Sequence, residues 1–154
     1  MKHRWAALVF VLALSALMPR SADAQTADTA RPRAGARSPG MKLGQNFPNP
    51  FNPETRIPFA VGDPPTCSDG GKEYRVTLRV YNVLAQLVAV PLLQGGASTV
   101  AGRPIEGLQL QCGDYTAYWD GKYLNTSREV ASGVYLYRLE VNGRAVVKKM
   151  IVMK

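Results

Sequence analysis

Apolar and polar positions along the chain alternate mainly with a period of two. Tyr74, Val76, Leu78 and Val80 alternate with Arg75, Thr77, Arg79 and Tyr81, the pattern of a strand that buries one face. Asn82-Val83-Leu84-Ala85-Gln86 reads as a turn into a second strand from Leu87 to Leu93, and the Gly-rich stretch from Gln94 to Gly107 as a long loop. Leu108 to Trp119 reads as one further strand, with Tyr115, Ala117 and Trp119 opposed to Thr116, Tyr118 and Asp120. Upstream, Arg56 to Val61 is a short strand whose Pro58 cannot donate to a ladder and so belongs at an edge or bulge. Gly62 to Lys72 is turn and loop chemistry throughout.

The longest strand signal runs from Val130 to Val141, and Asn142-Gly143 separates it from a last apolar run that ends at Lys154. Asn-Gly between two such runs predicts a hairpin, because a type I′ turn needs positive φ at both central residues. A two-residue loop fixes the register: Val141 opposite Arg144, Leu139 opposite Val146, Tyr137 opposite Lys148, Tyr135 opposite Met150 and Gly133 opposite Val152. Tyr135, Leu139, Val146, Met150 and Val152 then share a core face. The other face carries Val134, Leu136, Val147 and Ile151 among Arg138, Glu140 and Lys149, more apolar than a solvated surface requires. A strand pair that is central or covered on both sides explains this, and so does a docking face for another protein.

No stretch carries a helical period. Several short strands punctuated by Gly, Pro and Asn predict an all-β fold, an antiparallel immunoglobulin-like β-sandwich of about seven strands that ends in the hairpin. Ahead of it, Met1 to Ala24 has a basic start, an apolar run from Trp5 to Met18 and an Ala22-Asp23-Ala24 ending, the design of a secretory signal peptide cut before Gln25. No later stretch suits a membrane span. Gln25 to Lys42 has too few large apolar side chains to offset the entropy of ordering them and reads as a flexible basic linker. The folded domain is expected over residues 43–154. Its opening segment, Asn46-Phe47-Pro48-Asn49-Pro50-Phe51-Asn52-Pro53, cannot be helical, and Phe47 and Phe51 are its expected anchors.

Net charge is +8. Removing Lys2, Arg4, Arg20 and Asp23 with the leader reduces it to +6, and the linker holds +3 of that through Arg31, Arg33, Arg37 and Lys42 against Asp28. The domain is therefore mildly basic, without the basic and aromatic run that tracks nucleic acid. Cys67 and Cys112 are the two cysteines, and export favours a disulfide between them. The single histidine is His3, inside the leader, so the exported chain has no histidine-based nucleophile relay or zinc site. Its carboxylates are scattered singly, with Asp63, Asp69 and Asp114 read as turn formers. There is no phosphate-binding loop. The expectation is a protein that is not an enzyme and needs no cofactor. Asp120 to Asn125 groups oxygen atoms without calcium-loop spacing and reads as a turn held by Asp120, and Asn125-Thr126-Ser127 matches a glycosylation sequon.

Asn46 to Pro53, Val76 to Leu84, Trp119-Asp120-Gly121-Lys122, Val130 to Leu139 and Lys148 to Lys154, in that order, resemble a type A C-terminal sorting domain of the bacterial type IX secretion system. The middle motifs also resemble the related immunoglobulin-like domain of the flagellar hook-cap protein. The resemblance spans almost all of residues 43–154. It implies a non-catalytic sorting and anchoring domain, brought by the Sec pathway to the periplasm and then to the cell surface or medium. Its implied partners are the outer-membrane translocon and a surface sortase. It further implies that Asn46, Pro48, Asn49, Pro50, Phe51, Asn52 and Pro53 mark the start of the domain. Trp119, Asp120, Gly121, Gly133, Tyr135, Tyr137 and Arg138 belong to the motifs that shape the sandwich, and Lys148, Lys149 and Lys154 are presented to the machinery. Ala85 stands where that family usually has glycine. The alternative is a free-standing structural or adhesive immunoglobulin-like protein of the periplasm or cell surface.

Overall fold

The computed structural model describes residues 40–95, 100–124 and 126–154. The leader and most of the linker expected from the sequence, and Asn125 of the sequon, lie outside the described residues. Nine strands are present among those described, with no helix: β1 (Met41–Leu43), β2 (Thr55–Val61), β3 (Glu73–Asn82), β4 (Leu87–Ala89), β5 (Leu92–Gln94), β6 (Leu108–Gln111), β7 (Gly113–Trp119), β8 (Gly133–Val141) and β9 (Arg144–Val152). They form two antiparallel sheets, one ordered β1-β2-β7-β5 and the other β4-β3-β8-β9, with β6 also paired to β3. These are the A-B-E-D and C′-C-F-G orders of an immunoglobulin-type sandwich.

Nine strands form where about seven are expected, and the six runs named from the sequence gain three for local reasons. The run from Leu87 to Leu93 is not one strand: β4 pairs with β3 in one sheet and β5 with β7 in the other. Pro91 lies at the break, where its missing N–H ends the ladder. The run from Leu108 to Trp119 divides in the same way at Cys112, since β6 pairs with β3 and β7 with β2. A strand that bends between sheets keeps its alternation, so period two alone hides the crossing. The third addition is β1, which takes Met41 and Lys42 from the stretch read as linker and buries Met41 beside Leu43.

Between the sheets lie Ile57, Phe59 and Val61 of β2, Val76, Leu78 and Val80 of β3, Ala117 and Trp119 of β7, and Tyr135, Tyr137, Leu139 and Val141 of β8, all buried. Burying each large side chain here contributes roughly 1.5–3 kcal/mol. Pro58 is not in a simple edge strand, because β2 lies between β1 and β7. Its free side instead faces an interruption between the Leu43–Phe59 and Phe47–Arg56 pairs, where the Gly44 N–H donates to the Pro58 C=O at 2.8 Å. Ala85 adopts φ 59° in the β3–β4 turn, the left-handed conformation for which glycine is the usual residue. Asn82 holds that turn by accepting from the Leu84 and Gln86 N–H groups, both at 3.0 Å.

Cys67 and Cys112 are joined in a disulfide that ties the β2–β3 loop to the β6–β7 bend across 45 positions of sequence. By chain entropy this closure stabilises the fold by about 4 kcal/mol. Reduction is expected to lower the urea midpoint by the equivalent of that amount while the sandwich still folds. Urea curves with and without reductant check this, and coincident curves would show that the bond does not constrain the unfolded chain.

Candidate functional site

The proline-rich segment does more than open the domain. Asn46 is buried, and every polar atom of its side chain has a partner. Its Nδ2 donates to the Pro48 carbonyl and to Thr55 Oγ1, both at 3.0 Å, and its Oδ1 accepts from Gln45 Nε2 at 2.7 Å. Thr55, also buried, donates to the same Pro48 carbonyl at 2.9 Å. From the other sheet, the Tyr137 hydroxyl accepts the Asn46 N–H at 3.2 Å and donates to the Gly44 carbonyl at 2.9 Å. Burial pushes the Tyr137 phenol up to about 12, with the Asn46 N–H acting in the opposite sense.

Beyond Pro48 the segment turns onto the last strand. Asn49 Oδ1 accepts the Ile151 N–H at 2.9 Å, Phe51 N–H donates to the Ile151 carbonyl at 3.1 Å, and Met153 N–H donates to the Phe51 carbonyl at 3.0 Å. Phe51 and Val152 thus form a parallel bridge. Only one of the two expected anchors is buried: Phe51 is 2 % exposed and Phe47 74 %. The Phe47 backbone pairs with Arg56 while its ring lies in solvent. Pro48, Asn49, Pro50, Asn52 and Pro53 are exposed, so their part is played by the backbone they shape.

Phe51 meets Trp119 edge to face with ring centroids 5.5 Å apart, and Trp119 meets Tyr135 in the same way at 5.9 Å. Trp119 Nε1 donates to the Lys122 carbonyl at 3.0 Å, and Asp120 Oδ1 accepts the Lys122 N–H at 3.1 Å, closing the turn. The Tyr135 hydroxyl reaches back to the Ala131 carbonyl at 2.9 Å, the tyrosine-corner geometry of immunoglobulin-type domains. Gly121 has φ +73°, and a Cβ there would collide with the Pro53 carbonyl oxygen. A motif at the start of the domain and a motif near its middle therefore require each other.

The hairpin pairs in the register read from its turn, from Val141 opposite Arg144 to Gly133 opposite Val152, with Asn142 at φ 49° and Gly143 at φ 82°. Its second face is not covered among the described residues, contrary to the simpler of the two expectations. Only β8 is central; β9 is an edge strand, and Val134, Val147 and Ile151 are 44 %, 51 % and 39 % exposed. On the same face, Leu87, Tyr81, Leu136 and Lys149 stand in one row across four strands. Arg138 lies between Arg79 and Val147 and pairs with Glu140 at 2.7 Å.

The three lysines do not share a surface. Lys149 is exposed on the outer face, and Lys148 is half-buried on the side of the core residues. Lys154 folds back, its ammonium 2.8 Å from Glu129 and its N–H on Ser132 Oγ. This ammonium holds the Glu129 carboxyl below its usual range.

No family model, curated protein or solved structure matches this chain. Among the described residues, no three His, Cys, Asp or Glu side chains come together as a metal site. The geometry that stands out is a clasped hairpin with an open outer face.

Two outcomes are expected. Gly121→Ala should cost more than about 2 kcal/mol through the left-handed backbone and the collision with Pro53, read as a fall in melting temperature; an unchanged melt would refute the contact. Tyr137→Phe should cost about 1–3 kcal/mol by leaving the Gly44 carbonyl and Asn46 N–H unpaired. The sign of its pH effect follows from the raised phenol. The unfolded tyrosine loses its proton near pH 10 while the folded one keeps it to about 12, so stability is complete below pH 10 and falls as pH rises through that window. Urea unfolding across the window should show a shallower alkaline loss in the Phe variant.

Proposed function

We propose that this chain is a non-catalytic sorting and anchoring module whose last hairpin is read by the type IX outer-membrane secretion machinery. The observation that carries the reading is the clasp: Asn49 and Phe51 bind the backbone of Ile151 and Met153, so the first and last of the ordered motifs build one element. Gly121, Trp119 and Tyr135 of the middle motifs hold that element from beneath. A recognition signal that must survive passage through the periplasm needs a fixed shape, and the clasp supplies one. The outer face of β8 and β9 supplies apolar surface for a partner, which single scattered apolar residues would not. In this proposal Met1–Ala24 directs export through the Sec pathway, and the module then acts at the outer membrane or beyond it.

The test places residues 40–154 behind a signal peptide and a periplasmic reporter in a host with a working type IX system. Delivery of the reporter to the surface or medium, lost when the translocon is deleted, is the expected result. An intact fusion retained in the periplasm would overturn the proposal in favour of a free-standing structural protein.

A further inference from the structure

In a hairpin closed by a two-residue turn, alternate residues of each strand point their backbone groups at the partner strand. Arg144, Val146, Lys148, Met150 and Val152 of β9 therefore bond to β8, while Ala145, Val147, Lys149 and Ile151 direct theirs to the open edge. The clasp occupies only half of that edge. Ile151 bonds to Asn49 and Phe51, and the Lys149 carbonyl accepts from Gln45 Nε2 at 3.1 Å. Among the described residues, the N–H and C=O groups of Ala145 and Val147 and the N–H of Lys149 form no backbone hydrogen bond to another strand, with β1 of the facing sheet passing close to β9.

The side chains along this open half are ordered by chemistry. Val146 and Val147 come first, one on each side of the sheet, followed by Lys148 and Lys149, likewise one on each side. Neither lysine forms an ion pair among the described residues, whereas nearby Arg138 and Lys154 are matched by Glu140 and Glu129. Lysines commonly guard a strand edge against self-association. Pairing two copies of this edge about Val147 would bring the two Lys148 residues, on one face and two residues apart in register, within about one Debye length, roughly 8–10 Å, whereas an acidic strand would be drawn in.

We propose that the edge from Ala145 to Lys149 binds an extended segment of another protein by strand addition, antiparallel to β9, with two adjacent acidic residues opposite Lys149 and Lys148 and two β-branched residues opposite Val147 and Val146. Antiparallel pairing is the more stable sense, and β-branched pairs suit a half-exposed ladder. Backbone bonds supply the affinity and the acid-then-apolar order supplies the specificity. The segment would extend the sheet beyond the point where the clasp stops. The inference rests on the hairpin being the recognised element of the sorting module, and its test is independent of secretion.

The full chain, labelled with 15N, is titrated with acetyl-Glu-Glu-Val-Val-Thr-amide and, separately, with the reversed peptide acetyl-Thr-Val-Val-Glu-Glu-amide. The expected result is shifts and slowed exchange at the Ala145, Val147 and Lys149 amides, binding weakened by salt, and at least about tenfold weaker binding of the reversed peptide, equal to about 1.4 kcal/mol. Val147→Pro should abolish binding, since it removes an N–H that faces the edge and spares the ladder to β8. If that variant does not fold, the doubly charge-reversed K148E/K149E chain, whose changes fall at exposed or half-buried positions, should bind at least about tenfold more weakly. Equal binding of both peptides, or shifts that miss these amides, would overturn the proposal. A concentration-dependent dimer that protects the same amides without peptide would assign the edge to a second copy and overturn it as well. Reporter delivery without peptide binding would remove strand addition alone and leave the sorting reading standing; peptide binding without delivery would do the reverse.

Discussion

Trp119 stands edge to face against Phe51 on one side and Tyr135 on the other, and much of the rest of the architecture depends on that pair of contacts. Such arrangements place a ring's positive edge on a neighbour's negative face and contribute roughly 0.5–1.5 kcal/mol beyond burial. Their larger consequence is positional. Phe51 belongs to the proline-rich segment, Trp119 to β7 of one sheet and Tyr135 to β8 of the other, so a single indole joins both layers of the sandwich to the segment outside them. Once Phe51 is seated, its backbone is held beside Ile151 and Met153, and the close approach of Pro53 to Gly121 leaves no room for a side chain there.

A second constraint is the buried amide of Asn46. A polar side chain in that position would destabilise the fold if left unpaired, yet here it is fully paired by Thr55, the Pro48 carbonyl and Gln45. The Tyr137 hydroxyl completes the arrangement by bridging the Asn46 N–H and the Gly44 carbonyl. Tyr137 lies two residues beyond the tyrosine-corner residue, the place where antibody domains carry the second cysteine of their inter-sheet disulfide. In this chain a phenol and a hydrogen-bond network join the layers there, and the disulfide links the β2–β3 loop to the β6–β7 bend instead.

The two constraints together explain how an edge strand can be both ordered and open. The clasp covers the backbone of β9 near Ile151, which removes the most apolar part of the edge from the reach of other chains. The remainder, flanked by Lys148 and Lys149, has no strand hydrogen-bonded to it among the described residues. Shape is set by the buried aromatic and amide groups, and in the proposed strand addition selectivity falls to exposed Val147 and Lys149 and half-buried Val146 and Lys148, so the two properties are carried by different residues.

The sequence by itself determined the all-β class, the hairpin and its register, because a two-residue Asn-Gly turn leaves one pairing and the alternation of Tyr135, Leu139, Met150 and Val152 leaves one buried face. It also pointed to the disulfide through two cysteines in a chain read as exported. Only the tertiary structure decided where the long strand runs cross between sheets, since alternation persists through the bends at Pro91 and Cys112 and local pattern carries no record of the partner strand. The same limit hid the burial of Phe51 and the exposure of Phe47, which stand in near-identical Phe-Pro and Phe-Asn-Pro surroundings. It also hid the clasp, because Asn49 and Ile151 are 102 positions apart and their hydrogen bond exists only once the sandwich has closed.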